Sequence, residues 1–180
     1  MLIQTDRLKS TPLLIEIDED VSGFPALNEL LTQESVEISG SIKGVARVVR
    51  VGRIVEVDGN LSAQLVSSCG RCLSPVQVPL SVTFSLSYTE NNDKPDTGHA
   101  EEVELTEDDL GLIPYGGQEI DLRSDLDQEL IMALPQQLVC DEGCKGLCPA
   151  CGENLNLVQC RCEPPVFHPG LAALKNLKID

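Results

Sequence analysis

The feature that most limits how this chain can fold is the placement of its cysteines. Six of the eight fall within residues 140–162: Cys140, Cys144, Cys148, Cys151, Cys160 and Cys162. The other two, Cys69 and Cys72, form an earlier C-x2-C pair. Cys148 and Cys151 share that spacing and are followed by glycine. A tight turn of this kind aims two thiolates and its own backbone N–H groups at one cation. Cys160 and Cys162, spaced C-x-C, can supply the other two corners of a tetrahedron. Four thiolates at one point repel each other unless a divalent metal neutralises them, and soft sulfur ligands suit Zn²⁺. The simplest arithmetic is two structural zinc sites of four cysteines each.

The local grouping is Cys148, Cys151, Cys160 and Cys162. It closes a single loop of eight residues between its pairs, at small entropic cost. Cys69 and Cys72 would then join Cys140 and Cys144, stapling together segments about 70 residues apart. Such a link stabilises largely through the unfolded state. A competing assignment places Cys144 with Cys148 and Cys151 and leaves Cys140 free; spacing alone leaves both open. Saturated sulfur coordination keeps no water for Lewis-acid chemistry, so either version is structural.

A chain of 180 residues can build one domain with a real core and a small appendage. The N-terminus lacks a charged-then-apolar export pattern, which predicts the cytoplasm and favours metal over disulfides. No apolar run approaches the roughly 20 residues of a membrane span. A redox dithiol at Cys69 and Cys72 would call for a strand-to-helix junction. Strand-like sequence flanks the pair on both sides, which fits a zinc knuckle better. The net charge of −16 opposes generic binding to phosphate backbones. With no Trp and only 3% aromatic residues, base-stacking platforms are scarce. Charge is uneven, however: residues 38–55 carry Lys43, Arg47, Arg50 and Arg53 and no acid. These four are either the solvated face of a strand pair or a contact patch for RNA or an acidic partner.

The apolar pattern predicts an α+β fold. Residues 1–11 read as polar and loosely held, residues 13–17 as a short strand, and Pro25 as the first turn of a short helix. Period two dominates residues 36–89, an antiparallel meander with one wet face. Asp58-Gly59-Asn60 reads as a turn inside it. The cleanest strand puts Val78, Leu80, Val82, Phe84, Leu86 and Tyr88 on one face. A turn-rich loop over 90–101 and an acidic edge strand over 101–109 follow. Residues 120–134 return to helical period, with Leu122, Leu126 and Leu130 on one stripe and Asp121 as cap. Asp125 and Asp127 suit the helix's early turns, and Pro135 stops it. A last helix begins near Pro169 and carries Leu171, Leu174 and Leu177. This divides the chain into a sheet domain over 1–139 and a cysteine-rich, zinc-ribbon-like segment with a terminal helix over 140–180. The only histidines, His99 and His168, fall in loop-like sequence and read as surface residues.

Four stretches together resemble one family. They are Cys69-Gly-Arg-Cys72-Leu-Ser-Pro-Val, Gly117-Gln-Glu-Ile-Asp-Leu, Ala133-Leu-Pro, and Cys144-Lys-Gly-Leu-Cys148-Pro-Ala-Cys151-Gly-Glu-Asn-Leu-Asn. The family is YceD, also called DUF177, and the resemblance covers most of the chain. The last run is the most specific. The family's Asp-Pro-Arg near the C-terminus is here His168-Pro169-Gly170. The resemblance implies a ribosome-biogenesis factor, associated with accumulation and processing of large-subunit (23S) ribosomal RNA, and not an enzyme. The acidic charge then argues for action on the large-subunit precursor through a protein partner, with any RNA contact confined to the basic patch. Arg71, Lys145 and Arg161 beside the thiols lend modest support. A thiol-redox or zinc-responsive regulator is the alternative, and it requires an exposed cysteine of low pKa. A hydrolase ranks last, because a nucleophile–base pair needs a well-placed histidine.

Overall fold

A computed structural model of the chain describes residues 1–8, 11–90 and 111–162. The expected loop after residue 90, the acidic edge strand, the terminal helix with Leu171, Leu174 and Leu177, and His99 and His168 lie outside the described residues.

Within them the class is α+β. The strands are β1 (Leu2–Gln4), β2 (Leu13–Glu19), β3 (Glu37–Ile38), β4 (Ile42–Val51), β5 (Ile54–Ser68), β6 (Pro75–Glu90), β7 (Leu112–Tyr115) and β8 (Glu119–Asp121). The helices are α1 (Pro25–Gln33) and α2 (Arg123–Met132). Six strands form one sheet in the order β2-β4-β5-β6-β7, with β3 pairing β5 beyond the end of β4. β1 and β8 form a separate antiparallel pair.

β6 is the strand that alternation reads most cleanly. Leu80, Phe84, Leu86 and Tyr88 are buried, while Pro79, Ser81, Thr83 and Ser85 are exposed. Tyr88 donates its hydroxyl to Asp125 Oδ2 at 2.6 Å. Burial, reinforced by that carboxylate, holds the phenol proton far more tightly than usual.

Four expectations need correction. The sheet is mixed and not a purely antiparallel meander, because β7 runs parallel to β6, with Tyr88 opposite Ile113. A parallel neighbour needs a long crossover connection, and the 21 residues between Glu90 and Leu112 are enough for one. Residues 1–11 are not loosely held throughout. Ile3 is buried opposite Ile120, and the Thr5 hydroxyl donates to the Gln118 carbonyl at 3.0 Å.

Third, Asp58-Gly59-Asn60 makes no turn and lies within β5. The reversal comes earlier, at Gly52-Arg53, where Val51 pairs Ile54 and Gly52 has φ 62°. Gly59 answers a packing need instead. A Cβ there would stand 2.1 Å from the Val45 carbonyl oxygen and 2.8 Å from the Phe84 ring. Only glycine permits so close a backbone approach. Fourth, Ile120 and Asp121 belong to β8, so the expected helix begins only at Arg123.

Leu122 and, on α2, Leu126 and Leu130 are fully buried, as their stripe predicts. Each such side chain contributes roughly 1.5–3 kcal/mol through burial. Asp127, assigned from sequence to the macrodipole of its own helix, serves another. Its Oδ2 accepts from Ala26 N and its Oδ1 from Leu27 N, both at 2.9 Å. α1 starts with Pro25 and has no side-chain cap from Phe24, so this carboxylate satisfies its open N–H groups.

By internal contacts the chain divides into two compact units. One comprises Met1–Ser67 with Gln77–Gln136. The other comprises Ser68–Val76 with the chain from Gln137 onward, and it contains all eight cysteines.

Candidate metal centre

The eight sulfurs form two groups of four. Cys69, Cys72, Cys140 and Cys144 make one; Cys148, Cys151, Cys160 and Cys162 make the other. Within each group every sulfur lies within 4.8 Å of the rest. Cys144 therefore sits with Cys69, Cys72 and Cys140, not with Cys148 and Cys151. None of the eight is joined in a disulfide.

The first group is built by two turns brought together. Residues 69–74 form a tight knuckle: Cys69 N donates to the Ser74 carbonyl at 2.8 Å and Leu73 N to the Cys69 carbonyl at 2.9 Å. Leu73 closes it in the left-handed region, at φ 58°. Gly70 N then donates to the Leu138 carbonyl at 2.8 Å, tying the knuckle to the chain that leads into Cys140. The Cys69 sulfur accepts from Arg71 N and Cys140 N, each at 3.4 Å. Cys69 and Cys144 sulfurs are 3.9 Å apart, and those of Cys72 and Cys140 are 3.6 Å apart. Cys69, Cys72 and Cys144 are buried with Val139 and Leu147 packed on them. The Arg71 guanidinium reaches across and donates to the Glu142 carbonyl at 2.8 Å and the Cys144 carbonyl at 3.2 Å. Its place in the knuckle is thus structural.

The second group has its own turn. Cys148 N donates to the Glu153 carbonyl at 2.8 Å and Gly152 N to the Cys148 carbonyl at 2.9 Å. Gly152 adopts φ 77°, which explains the glycine after Cys151. Cys148 is buried, Cys160 half-buried, and Cys151 and Cys162 are exposed.

The acidities follow from these turns. The N–H groups of Cys72, Arg71 and Cys140 lower the Cys69 thiol to about 6 from a usual 9.0. Those of Cys151 and Ala150 lower Cys148 to about 6. Ser74 lowers Cys72. Cys140, facing Cys144 and Cys72, is pushed up to about 12, and Cys162, facing Cys151 and Cys148, likewise to about 12. At Cys160 the N–H of Cys162 pulls down most strongly, but the Cys148 sulfur, burial and Cys151 together outweigh it and the thiol is raised. One end of each group ionises readily while the other resists, because backbone N–H groups favour one thiolate and the neighbouring sulfurs disfavour the next. A divalent ion would remove that conflict. The donor sets fit Zn²⁺ in chemistry and number.

The basic residues are not gathered in one place. Lys43 lies 3.7 Å from Asp18, and Arg47 lies 3.1 Å from Asp58, its partner directly across β4 and β5. Arg50 donates to the Gly52 carbonyl at 3.2 Å and the Thr5 carbonyl at 3.3 Å. Arg53 is exposed in the hairpin turn. Lys43 and Arg47 share the wet face of β4, whereas Arg50 has the opposite parity.

Two residues that cysteine spacing does not single out complete the centre. Asn156 Nδ2 donates to the Cys144 sulfur at 3.3 Å, and Asn154 Nδ2 donates to Ser74 Oγ at 3.3 Å. Their N-x-N spacing is an Asx-turn signal, and Asn156 N does donate to Asn154 Oδ1 at 2.9 Å.

The family model described as large ribosomal RNA subunit accumulation protein YceD matches residues 57–178, well over half of the chain. All eight cysteines fall inside that match; Lys43, Arg47, Arg50 and Arg53 fall outside it. The chain is similar to an uncharacterised protein of Mycobacterium tuberculosis, 38% identical over 61% of this chain and 49% of that protein. It is also similar to the chloroplastic large ribosomal RNA subunit accumulation protein YCED homolog 1 of Zea mays, 28% identical over 71% of this chain and 50% of that protein. The Arabidopsis thaliana protein of the same description is 26% identical over 73% and 46%. The chain thus spans about half the length of the curated relatives it matches. No solved structure matches. Among the described residues no helix is long and apolar enough to cross a membrane.

Proposed function

This chain belongs to the YceD family, and from that premise we propose that it is a non-enzymatic, zinc-stabilised factor promoting accumulation and processing of large-subunit (23S) ribosomal RNA. The observation that carries this reading is the pair of four-sulfur groups, each within 4.8 Å, lying wholly inside the family match. Two zinc ions held there would order residues 68–76 and 137–162 into a zinc-ribbon-like unit. Cys69, Cys72, Cys140 and Cys144 would hold one ion; Cys148, Cys151, Cys160 and Cys162 would hold the other. Four sulfurs fill a tetrahedral shell, so the ions organise backbone and offer no open position for chemistry. A reducing cytoplasm suits thiolate ligands.

The partner is the large-subunit precursor, reached through a protein. The charge of −16 opposes direct grip on phosphates. Lys43 and Arg47 already face acids of their own chain, which leaves less of the basic patch for RNA.

The test is genetic and compositional. Loss of the gene lowers 23S rRNA relative to 16S, the wild-type chain restores it, and a C148S/C151S chain restores it poorly. An unchanged ratio on gene loss overturns the ribosomal reading. Purified protein carries two zinc ions per chain; none, with cross-linked thiols, would replace the zinc reading by the thiol-redox alternative.

A further inference from the structure

Asn156 belongs to the loop between Cys151 and Cys160, yet it serves the other cluster. Its Nδ2 donates to the Cys144 sulfur at 3.3 Å. Its Oδ1 accepts from Lys145 N, the residue next to Cys144, at 2.8 Å. The loop is braced in this position. Asn156 Nδ2 and N both reach Asn154 Oδ1, at 2.8 and 2.9 Å. Leu155 N donates to the Gly146 carbonyl at 2.9 Å. Asn154 Nδ2 meets Ser74 Oγ, and the carbonyl of that same Ser74 receives the Cys69 N–H at 2.8 Å.

We propose that the two metal sites load cooperatively: filling the Cys148–Cys151–Cys160–Cys162 cluster raises the metal affinity of the Cys69–Cys72–Cys140–Cys144 cluster, with Asn156 as the positioning residue between them. The proposal rests on the zinc reading above. A metal bound to Cys151 and Cys160 pins both ends of the loop that carries Asn156. With the loop pinned, the amide is already aimed at the Cys144 sulfur when that sulfur takes up charge as a ligand. An N–H donor to a metal-bound thiolate stabilises it and fixes its direction. Without the second ion only these hydrogen bonds hold the loop, and more of the cost of ordering this donor falls on the first cluster. Linkage makes the effect reciprocal.

The experiment uses the full chain, reduced and metal-free, titrated with Co²⁺. Thiolate charge-transfer and ligand-field bands report tetrahedral sulfur coordination. C148S/C151S leaves only the first cluster and C69S/C72S only the second. Asn156→Asp is nearly isosteric; it keeps an acceptor for Lys145 N, replaces the donor to Cys144 by a carboxylate oxygen and gives up the Nδ2 bond to Asn154 Oδ1, while the Asn156 N–H bond to Asn154 remains. The wild type is expected to fill both clusters in one transition. In C148S/C151S the first cluster should bind about 10–100-fold more weakly, the range typical of outer-shell partners. Asn156→Asp should weaken it comparably in the full chain. It should add little on top of C148S/C151S and leave the second cluster unchanged in C69S/C72S. Equal first-cluster affinity with and without the second cluster overturns the coupling. So does a loss of second-cluster affinity on Asn156→Asp in C69S/C72S, which would make Asn156 a loop former only. Absence of any tetrathiolate band in the wild type overturns the zinc reading itself, and the coupling falls with it.

Discussion

Leu27 and Asp127, 100 residues apart in sequence, are joined by a buried hydrogen bond in which the Leu27 backbone N–H donates to Asp127 Oδ1 at 2.9 Å. The other carboxylate oxygen takes the Ala26 N–H. One helix therefore finishes the hydrogen bonding of another. Asp127→Asn keeps the shape but turns an NH₂ toward a donor. The expected loss is about 1–3 kcal/mol, the penalty for a buried polar group left without its partner. Urea unfolding measures it, and an unmoved midpoint removes the cap from this account.

Gly59→Ala should destabilise the sheet by at least about 1–3 kcal/mol, because the added methyl meets the Val45 carbonyl oxygen and the Phe84 ring at once. Gly52→Ala is the comparison. It meets no atom within 4 Å, and its strain comes only from φ 62°, so it should cost about 1 kcal/mol. Equal thermal shifts for the two variants would show that crowding at Gly59 is relieved elsewhere.

How far the sequence reveals this arrangement depends on how local the deciding interaction is. β6 is legible because its alternation runs through the whole strand, and α2 because Leu122, Leu126 and Leu130 repeat every four residues. The grouping of the sulfurs is only half legible: short loops favour local closure, but spacing leaves Cys144 open until the fold sets it beside Cys69, Cys72 and Cys140. The pairing of Ile3 with Ile120 is not, because three-residue strands carry no period. Asp127 reads as an ordinary early-turn acid until the fold sets α1 against it. Gly59 illustrates the same limit: beside Asp58 it has the composition of a turn, and only the neighbouring strand explains it. The roles of Asn154 and Asn156 are not read from the sequence: N-x-N spacing is an Asx-turn signal, but their partners Ser74 and Cys144 lie elsewhere in the chain.

Chelation should separate the two units. Prolonged treatment with a strong zinc chelator under reducing conditions is expected to make all eight thiols alkylatable, while the apolar core around Leu80, Phe84 and Tyr88 stays protected from hydrogen exchange. Loss of protection in β6 as a whole would show that the sheet depends on the metal.

The acidities fix a direction for pH. In the metal-free protein Cys69 and Cys148 are lowered from 9.0 to about 6. Their contribution to stability is complete above pH 9 and is lost as pH falls through about 6. Cys140 and Cys162 are raised to about 12, so theirs is present below pH 9 and lost only as pH climbs toward 12. Between pH 6 and 9 the first pair dominates the change. The stability of the metal-free cysteine-bearing unit should therefore rise over that window, as measured by unfolding monitored at its thiols. Metal affinity should rise in the same direction, because protons compete for every ligand. A flat profile between pH 6 and 9 would contradict the N–H stabilisation of Cys69 and Cys148.

All eight cysteines lie in the unit formed by Ser68–Val76 and the chain from Gln137 onward, and none lies in the sheet-bearing unit. A thiol oxidant would therefore find its cysteine targets in that smaller unit alone. If those thiols hold zinc, as proposed, their oxidation would release it, and reductant with fresh zinc would restore the same unit.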